Sequence, residues 1–172
     1  MKLSTVTRYG LRALSDLCAQ EELQLEELQQ GGLQQGELQS ENRSGIQSAS
    51  KPVAVSDIAR RQDIPPSYLE QLFAKLRRGN LVKSVRGAQG GYVLARPARE
   101  ITVAEVIRAL GEPIAFGDCQ TETGCRNTAE CPTYELWQRL KGSVDDILES
   151  TTLEDIARKE KKIPSQKDFF NS

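Results

Sequence analysis

The stretch SDIARRQDIPPSYLEQLFAKLRRGNLVKSVRGAQGGYVLARP, residues 56–97, decides the fold. Ser56 is placed to N-cap a short helix with Ile58 and Ala59 turned inward, and DIPP ends it. A second helix pattern opens on Ser67 and Glu70, the S-x-x-E spacing of a capping box. Within it Leu69, Leu72, Phe73 and Leu76 recur at i, i+3, i+4 and i+7, which predicts one buried face. Gly79 with Asn80 supplies the stop. LVKSVR and YVLAR are β-prone runs joined by the glycine-rich GAQGG, the pattern of a hairpin. Helix, turn, helix and hairpin in this order predict a winged helix-turn-helix: a mainly α chain with a small β-hairpin wing.

On the N-terminal side, Leu3, Val6, Leu11, Leu14, Leu17 and Cys18 predict a helix over 2–19, with Ser4 as its cap. The composition then changes, and 18 of the 30 residues from 21 to 50 are Gln, Glu or Leu. Such a segment reads as a surface insertion, partly helical at most and otherwise disordered. It is either a tolerated loop or a Leu/Gln-rich surface for a protein partner. After the wing, Thr102 and Glu105 form another capping box opening VAEVIRAL, with Gly111 as its stop. YELWQRLKGSVDDILES carries Leu136, Trp137, Leu140, Val144, Ile147 and Leu148 on one stripe, a long helix whose apolar seam suits dimerisation. Thr151 and Glu154 are placed to cap a last short helix. The organisation expected is a DNA-binding winged helix over 1–99 interrupted by 21–50, a connecting helix over 100–116, and a cysteine loop over 117–133. A dimerisation helix and short C-terminal helix over 134–160 and a flexible tail over 161–172 complete it.

The net charge is −1, but its distribution is uneven. Residues 51–100 hold ten basic and four acidic side chains, and residues 1–12 hold three basic and none acidic. Clustered positive charge next to a helix-turn-helix points to double-stranded DNA. The second helix of such a motif enters the major groove with its N-terminal residues against base edges. The outward residues there are Ser67, Glu70 and Gln71. Gln pairs bidentately with adenine, Glu accepts from cytosine N4, and Ser contacts several bases. Ser67 and Glu70 have a competing role as caps, whereas Gln71 has none. Lys75, Arg77, Arg78, Arg8 and Arg12 are candidate phosphate contacts. Arg86, beside the glycine turn of the wing, is placed to enter a narrow minor groove, or else is a solvated hairpin-tip charge.

The composition excludes several classes. No apolar run approaches the ~20 residues of a membrane span, and the start MKLSTVTRYGLRAL lacks the order of a signal peptide, so a cytoplasmic location is expected. The chain has no histidine. Without a His general base or a partnered nucleophile, an enzyme is disfavoured. The remaining rival is a winged-helix module that docks other proteins.

RYGLRAL, the 56–97 stretch, ITVAEVIRALGEP and the C-x5-C-x5-C segment followed by an LW-led helix closely resemble the IscR-like (Rrf-type) winged-helix transcription regulators. The resemblance spans nearly the whole chain except 21–50 and the last dozen residues. It implies a homodimer formed through the long helix after the cysteines, promoter binding, and an iron–sulfur cluster held by Cys119, Cys125 and Cys131. It also implies base reading by Ser67, Glu70 and Gln71 and minor-groove reading by Arg86.

Thiolates are soft ligands suited to iron–sulfur clusters, zinc or Cu(I). The x5 spacing differs from the x2 knuckle of structural zinc sites. In the best-known pattern of the family a His follows the third cysteine by three residues, and that position is Tyr134 here. Some relatives use an N-terminal acidic residue, where this chain has Arg8. Candidates for a fourth ligand are Tyr134, Asp118, Glu130, Glu135, Cys18 and a small external thiol, with Cys18 ranked low because it lies on the apolar stripe of the first helix. Direct thiol redox sensing, zinc, or a site that has lost its metal are the alternatives to a cluster.

Overall fold

The computed structural model describes residues 4–31, 51–87, 90–112, 114–116, 118–120, 124–125 and 130–160. In chain order these form α1 (Thr5–Gly31), α2 (Val55–Gln62), α3 (Pro66–Arg78), β1 (Val82–Val85), β2 (Gly91–Leu94), α4 (Val103–Leu110), α5 (Tyr134–Ser150) and α6 (Leu153–Glu160). The winged helix forms where the periodicity places it. Leu69, Leu72, Phe73 and Leu76 are all buried on the inner face of α3. They pack with Leu14 and Leu17 of α1, Ile58 of α2, Leu110 of α4 and Leu153 of α6 in one core. Burying a side chain of this size contributes roughly 1.5–3 kcal/mol, so this shared core holds the helices in register.

Helix starts differ from expectation in an informative way. The Thr102/Glu105 box forms, with Glu105 N–H donating to Thr102 Oγ1 at 3.2 Å and Thr102 N–H to Glu105 Oε2 at 3.0 Å. The Ser67/Glu70 box does not: α3 starts at Pro66 after Pro65, with no side-chain cap. Proline fits the first helical turn because its missing N–H would have no partner there. Ser56 likewise falls inside α2, which starts at Val55 after Ala54. The cap of α6 is Thr152 with Asp155, one residue beyond Thr151 and Glu154.

The ends of α2 and α3 share one device. Asp63 and Asn80 take left-handed conformations (φ 52° and 55°). Ile64 N–H then reaches Ala59 O at 3.0 Å, and Leu81 N–H reaches Leu76 O at 3.0 Å. Both chain reversals deliver a buried side chain to the core, as this C-terminal motif commonly does. Asn80, not Gly79, makes the turn after α3.

The wing pairs Val82 with Leu94 and Val85 with Gly91 in an antiparallel ladder. Val53, just before α2, joins its other edge by exchanging two 2.9 Å backbone bonds with Tyr92. Gly91 makes this approach feasible, because a Cβ there would lie 2.3 Å from Val53 O. Tyr92 in turn packs on Phe73 with ring centroids 4.6 Å apart, fastening the wing to α3.

The first helix runs well past residue 19, as far as Gly31. Glu, Gln and Leu are good helix formers, and the start of the Glu/Gln/Leu-rich segment is tied to the domain. Glu21 accepts Leu94 N–H at 2.7 Å, and the Gln24 amide exchanges bonds of 2.6 and 3.3 Å with the Lys51 backbone. The remainder of the expected insertion, residues 32–50, and the expected tail over 161–172 lie outside the described residues. At the other end of the domain, Val103 N–H to Thr151 O and Leu153 N–H to Ile101 O, both 2.9 Å, dock the start of α6. α5 buries none of its side chains.

Asp16 of α1 is the one acidic side chain shut into the core region among the described residues. Arg61 grips it with Nε at 3.0 Å and Nη2 at 2.5 Å, and Gln62 Nε2 adds a bond of 3.0 Å. Arg61→Ala should therefore destabilise the fold by about 2 kcal/mol, between the values for exposed and fully buried pairs. Urea unfolding at fixed protein concentration checks this, and a loss within ~0.5 kcal/mol, the range of ordinary surface substitutions, would mean that Asp16 is well solvated.

Burial pushes the Glu21 carboxyl up, against the lowering effect of its bond from Leu94 N–H. The folded state thus binds this proton more readily than the unfolded chain. The associated stability is present below the unfolded pKa and is lost as pH rises through the folded one. Glu21→Gln should accordingly stabilise the protein at pH 7 and lose that advantage in mild acid, as followed by melting temperature across pH. An advantage independent of pH would contradict the assignment.

Candidate nucleic-acid interface and cysteine segment

The outward face of α3 starts at its first turn. Ser67, Glu70 and Gln71 are all exposed, opposite the buried Leu69, Leu72 and Phe73. Because Pro65 and Pro66 set the helix start, Ser67 and Glu70 are released from capping, and the i, i+3, i+4 spacing puts the three on one stripe. Arg77 and Arg78 are exposed at the far end of the helix. Arg77 Nη1 reaches Ser84 Oγ on β1 at 3.5 Å, so its charge lies at the seam between helix and wing. Arg86 is exposed where β1 leaves for the wing turn, just before Gly87 (φ 132°).

Arg8 is exposed on the first turns of α1. Its neighbour Tyr9 meets Tyr68 edge to face at 5.9 Å, which sets the start of α1 beside the start of α3. Arg8, Arg77, Arg78 and Arg86 are all exposed.

Two of the expected phosphate contacts have other partners. Lys75 is half-buried, and its ammonium donates to Leu110 O at 3.0 Å, at the C-terminus of α4. Arg12 donates to Gln62 O at 2.6 Å and to Gln62 Oε1 at 3.1 Å, and lies 5.8 Å over the Tyr9 ring. A cation at a helix C-terminus is stabilised by the unsatisfied carbonyls there. Both residues therefore hold helices together.

The cysteines fall into two kinds. Cys18 is buried in α1, and its thiol is pushed up to about 12, chiefly by burial and then by Glu22 and Glu21. Burial and a raised thiol set it apart from the three loop cysteines. Cys119, Cys125 and Cys131 are in the thiol form and reach solvent to differing degrees. Cys119 sits on a short 3-10 turn, residues 118–120. Cys131 lies just ahead of α5. Trp137 Nε1–H donates to Thr133 Oγ1 at 3.1 Å, and the same hydroxyl lies 3.3 Å from Cys131 Sγ. Those contacts, the Thr133 hydroxyl first and its backbone N–H second, hold the Cys131 thiol below its ordinary range.

In kind, three accessible thiols are the donor set of a soft metal or an iron–sulfur cluster. Among the described residues no three His, Cys, Asp or Glu side chains are gathered at one point. Residues 121–123 and 126–129 of the cysteine segment lie outside the described residues, as does the side chain of Asp118. Of the other fourth-ligand candidates, Glu130 and Glu135 are exposed, and Tyr134 opens α5 with its N–H on Cys131 O at 3.1 Å.

Three side chains take partners in the fold that the sequence did not signal. Gln120 Oε1 accepts Phe116 N–H at 2.8 Å while its Nε2 donates to Trp137 O at 2.6 Å, fastening the Cys119 turn to α5. Glu112 accepts from the hydroxyls of Ser4 and Thr7 at the start of α1. Lys75 is the third. All three act across distant parts of the chain, where spacing and propensity are silent.

Comparison with known proteins agrees with this architecture. The model of the Rrf2 family, described as iron-dependent transcriptional regulator, matches residues 45–159. The transcriptional regulator IscR of Photorhabdus laumondii is 45% identical over 111 residues, 64% of this chain and 68% of that one. Among solved structures, T. potens IscR is 31% identical with a TM-score of 0.64, over 99% of this chain and 97% of that one. CymR, the global cysteine regulator of B. subtilis, is 32% identical with a TM-score of 0.63, over 92% and 97%. The fold and the relatives are those of transcriptional regulators and not of enzymes. No helix among the described residues is long and apolar enough to cross a membrane. With its winged helix and this family match over most of its length, the chain belongs to the Rrf2 family of transcriptional regulators.

Proposed function

We propose that the protein is a homodimer that binds double-stranded promoter DNA and carries an iron–sulfur cluster whose presence alters that binding. The observation that carries the DNA reading is the stripe of Ser67, Glu70 and Gln71, exposed and unused by any cap. In the major groove Gln71 is the base reader, Ser67 and Glu70 are its neighbours in readout, and Arg8, Arg77 and Arg78 contact phosphates. Arg86 on the wing enters the adjoining minor groove. Lys75 is withdrawn from the set of phosphate contacts, since its ammonium is already on Leu110 O.

The dimer reading is supported by α5. Leu136, Leu140 and Ile147 are 51%, 39% and 62% exposed on a helix that buries none of its own side chains. An apolar stripe of this length open to water costs free energy that a second copy would recover. Two reading helices related by a two-fold axis favour an inverted-repeat site with half-sites about one turn, or a multiple, apart.

Cys119, Cys125 and Cys131 would hold the cluster, with a fourth ligand other than histidine, and the likeness to proteins named IscR supports this choice. A bound cluster supplies oxygen-sensitive, one-electron iron chemistry. The protein's part is to position the thiolates, to favour the charged form of Cys131 through Thr133, and to tie the Cys119 turn to α5 through Gln120. One observation favours a second reading, direct thiol sensing: Cys131 is accessible, and its thiol is lowered. Low-pKa, accessible thiols are the ones that oxidise first.

Gln71→Ala should cost about 1–3 kcal/mol on the cognate site and much less on scrambled DNA. Arg78→Ala should weaken both alike and lower the salt slope by about one ion. Equal losses on both sequences for both variants, measured by fluorescence anisotropy, would count against the assignment. Ile147→Asp should shift the protein to monomer in analytical ultracentrifugation at micromolar concentration, and an unchanged dimer would place the interface elsewhere.

A further inference from the structure

The C-terminal end of α4 grips both elements that face DNA. Leu110 has no exposure, and α1 comes so close to it that a Cβ at Gly10 would lie 2.5 Å from Leu110 Cδ1. The Leu110 carbonyl receives the Lys75 ammonium from α3 at 3.0 Å. Two residues on, past the left-handed Gly111 (φ 79°), Glu112 Oε2 accepts from Thr7 Oγ1 at 3.0 Å and from Ser4 Oγ. Thr7 is itself buried, so this carboxylate is clamped to the first turn of α1, where the positive end of the helix dipole also favours it. Arg8 is the next residue. Beyond Glu112 the chain enters the segment that ends in Cys119 and Gln120, and Gln120 fastens that segment to α5. The ten residues from 111 to 120 thus have one end on the DNA-facing helices and the other on α5 and Cys119.

We propose that Leu110–Glu112 is a joint through which the cysteine segment sets the position of the reading helix, with Lys75 and Glu112 as its two positioning residues. This rests on the reading that the cysteine segment controls DNA binding. Lys75 acts as a strut between α3 and α4. Any shift of the 114–120 segment pulls on Glu112 and on the end of α4, and the joint passes it to α1 and α3 as a small rigid displacement. Packed elements transmit displacements of this kind because they have few compressible gaps.

The test uses the full-length, metal-free, reduced protein, its Lys75→Met, Lys75→Arg and Glu112→Gln variants, and iodoacetamide as the probe of the loop thiols. Cys18 is buried with its thiol at about 12 and should stay unmodified, which mass spectrometry verifies. In the unmodified protein, Lys75→Met should leave the salt slope of DNA binding unchanged, whereas loss of a phosphate contact would lower it by about one ion. Alkylation should change wild-type affinity for cognate DNA by ~5-fold or more, within the ordinary range of coupling between sites. In Lys75→Met and Glu112→Gln that change should fall below ~2-fold, while Lys75→Arg keeps it. Hydrogen exchange at the Thr7 and Arg8 amides should quicken on alkylation in the wild type and be already fast in Glu112→Gln.

A lowered salt slope for Lys75→Met, or variants that respond to alkylation as fully as the wild type, would overturn the joint alone. A wild type whose affinity and α1 exchange both ignore alkylation would overturn the cysteine reading and the joint with it. Should Lys75→Met fail to fold, Glu112→Gln carries the same comparison.

Discussion

Burial of one face of α4 is the constraint on which the rest of the structure depends. Val103, Ala104, Val106, Ile107 and Leu110 are all buried, although this helix has only eight residues. So short a helix has little stability of its own, and it exists because its apolar face is shared with α1 and α3. The Thr102/Glu105 box fixes where it starts, and Gly111 fixes where it ends. Its C-terminal end consequently sits at a definite point against α3 and α1. The winged helix and the cysteine segment meet at this one short element.

The outer face of α3 owes its free polar side chains to a pair of prolines. Pro66 in the first turn of α3 removes the demand for a side-chain cap, and Ser67 and Glu70 face solvent instead. The core and the proposed recognition surface thus use opposite faces of the same thirteen residues, Leu69, Leu72, Phe73 and Leu76 inward and Ser67, Glu70 and Gln71 outward. Substitutions on the outer face should leave the core intact, which is what separates a loss of sequence preference from a loss of fold.

Local patterns were legible in the sequence and contacts between distant segments were not. The i, i+3, i+4, i+7 spacing of the α3 core and the β-prone runs of the wing depend on near neighbours only, and both elements form as read. The same S/T-x-x-E pattern occurs at Thr102 and at Ser67, yet only the first forms a capping box, because Pro65-Pro66 governs the second. The first helix outran its apolar stripe because Glu21 and Gln24 are held by Leu94 and Lys51, partners far along the chain. Lys75 read as a phosphate contact from its place in a basic run, and only the packing of α3 on α4 reveals the carbonyl it serves. Cys18 was legible as a buried residue because it lay on the stripe of α1. The roles of Gln120 and Glu112 lay wholly in tertiary contacts.

In the function proposed, the cysteine segment links these parts to a signal. Its three thiols differ in exposure, Thr133 lowers the Cys131 thiol, and the turn bearing Cys119 is fastened to α5, whose apolar stripe is exposed. A chain without histidine must complete any cluster with another ligand. The most direct measurement is iron and acid-labile sulfide content of protein purified without oxygen, taken together with its affinity for promoter DNA before and after exposure to air. The account predicts stoichiometric iron and sulfide and an affinity that changes as both are lost. Metal-free protein that binds the same DNA with equal affinity in both conditions would contradict it.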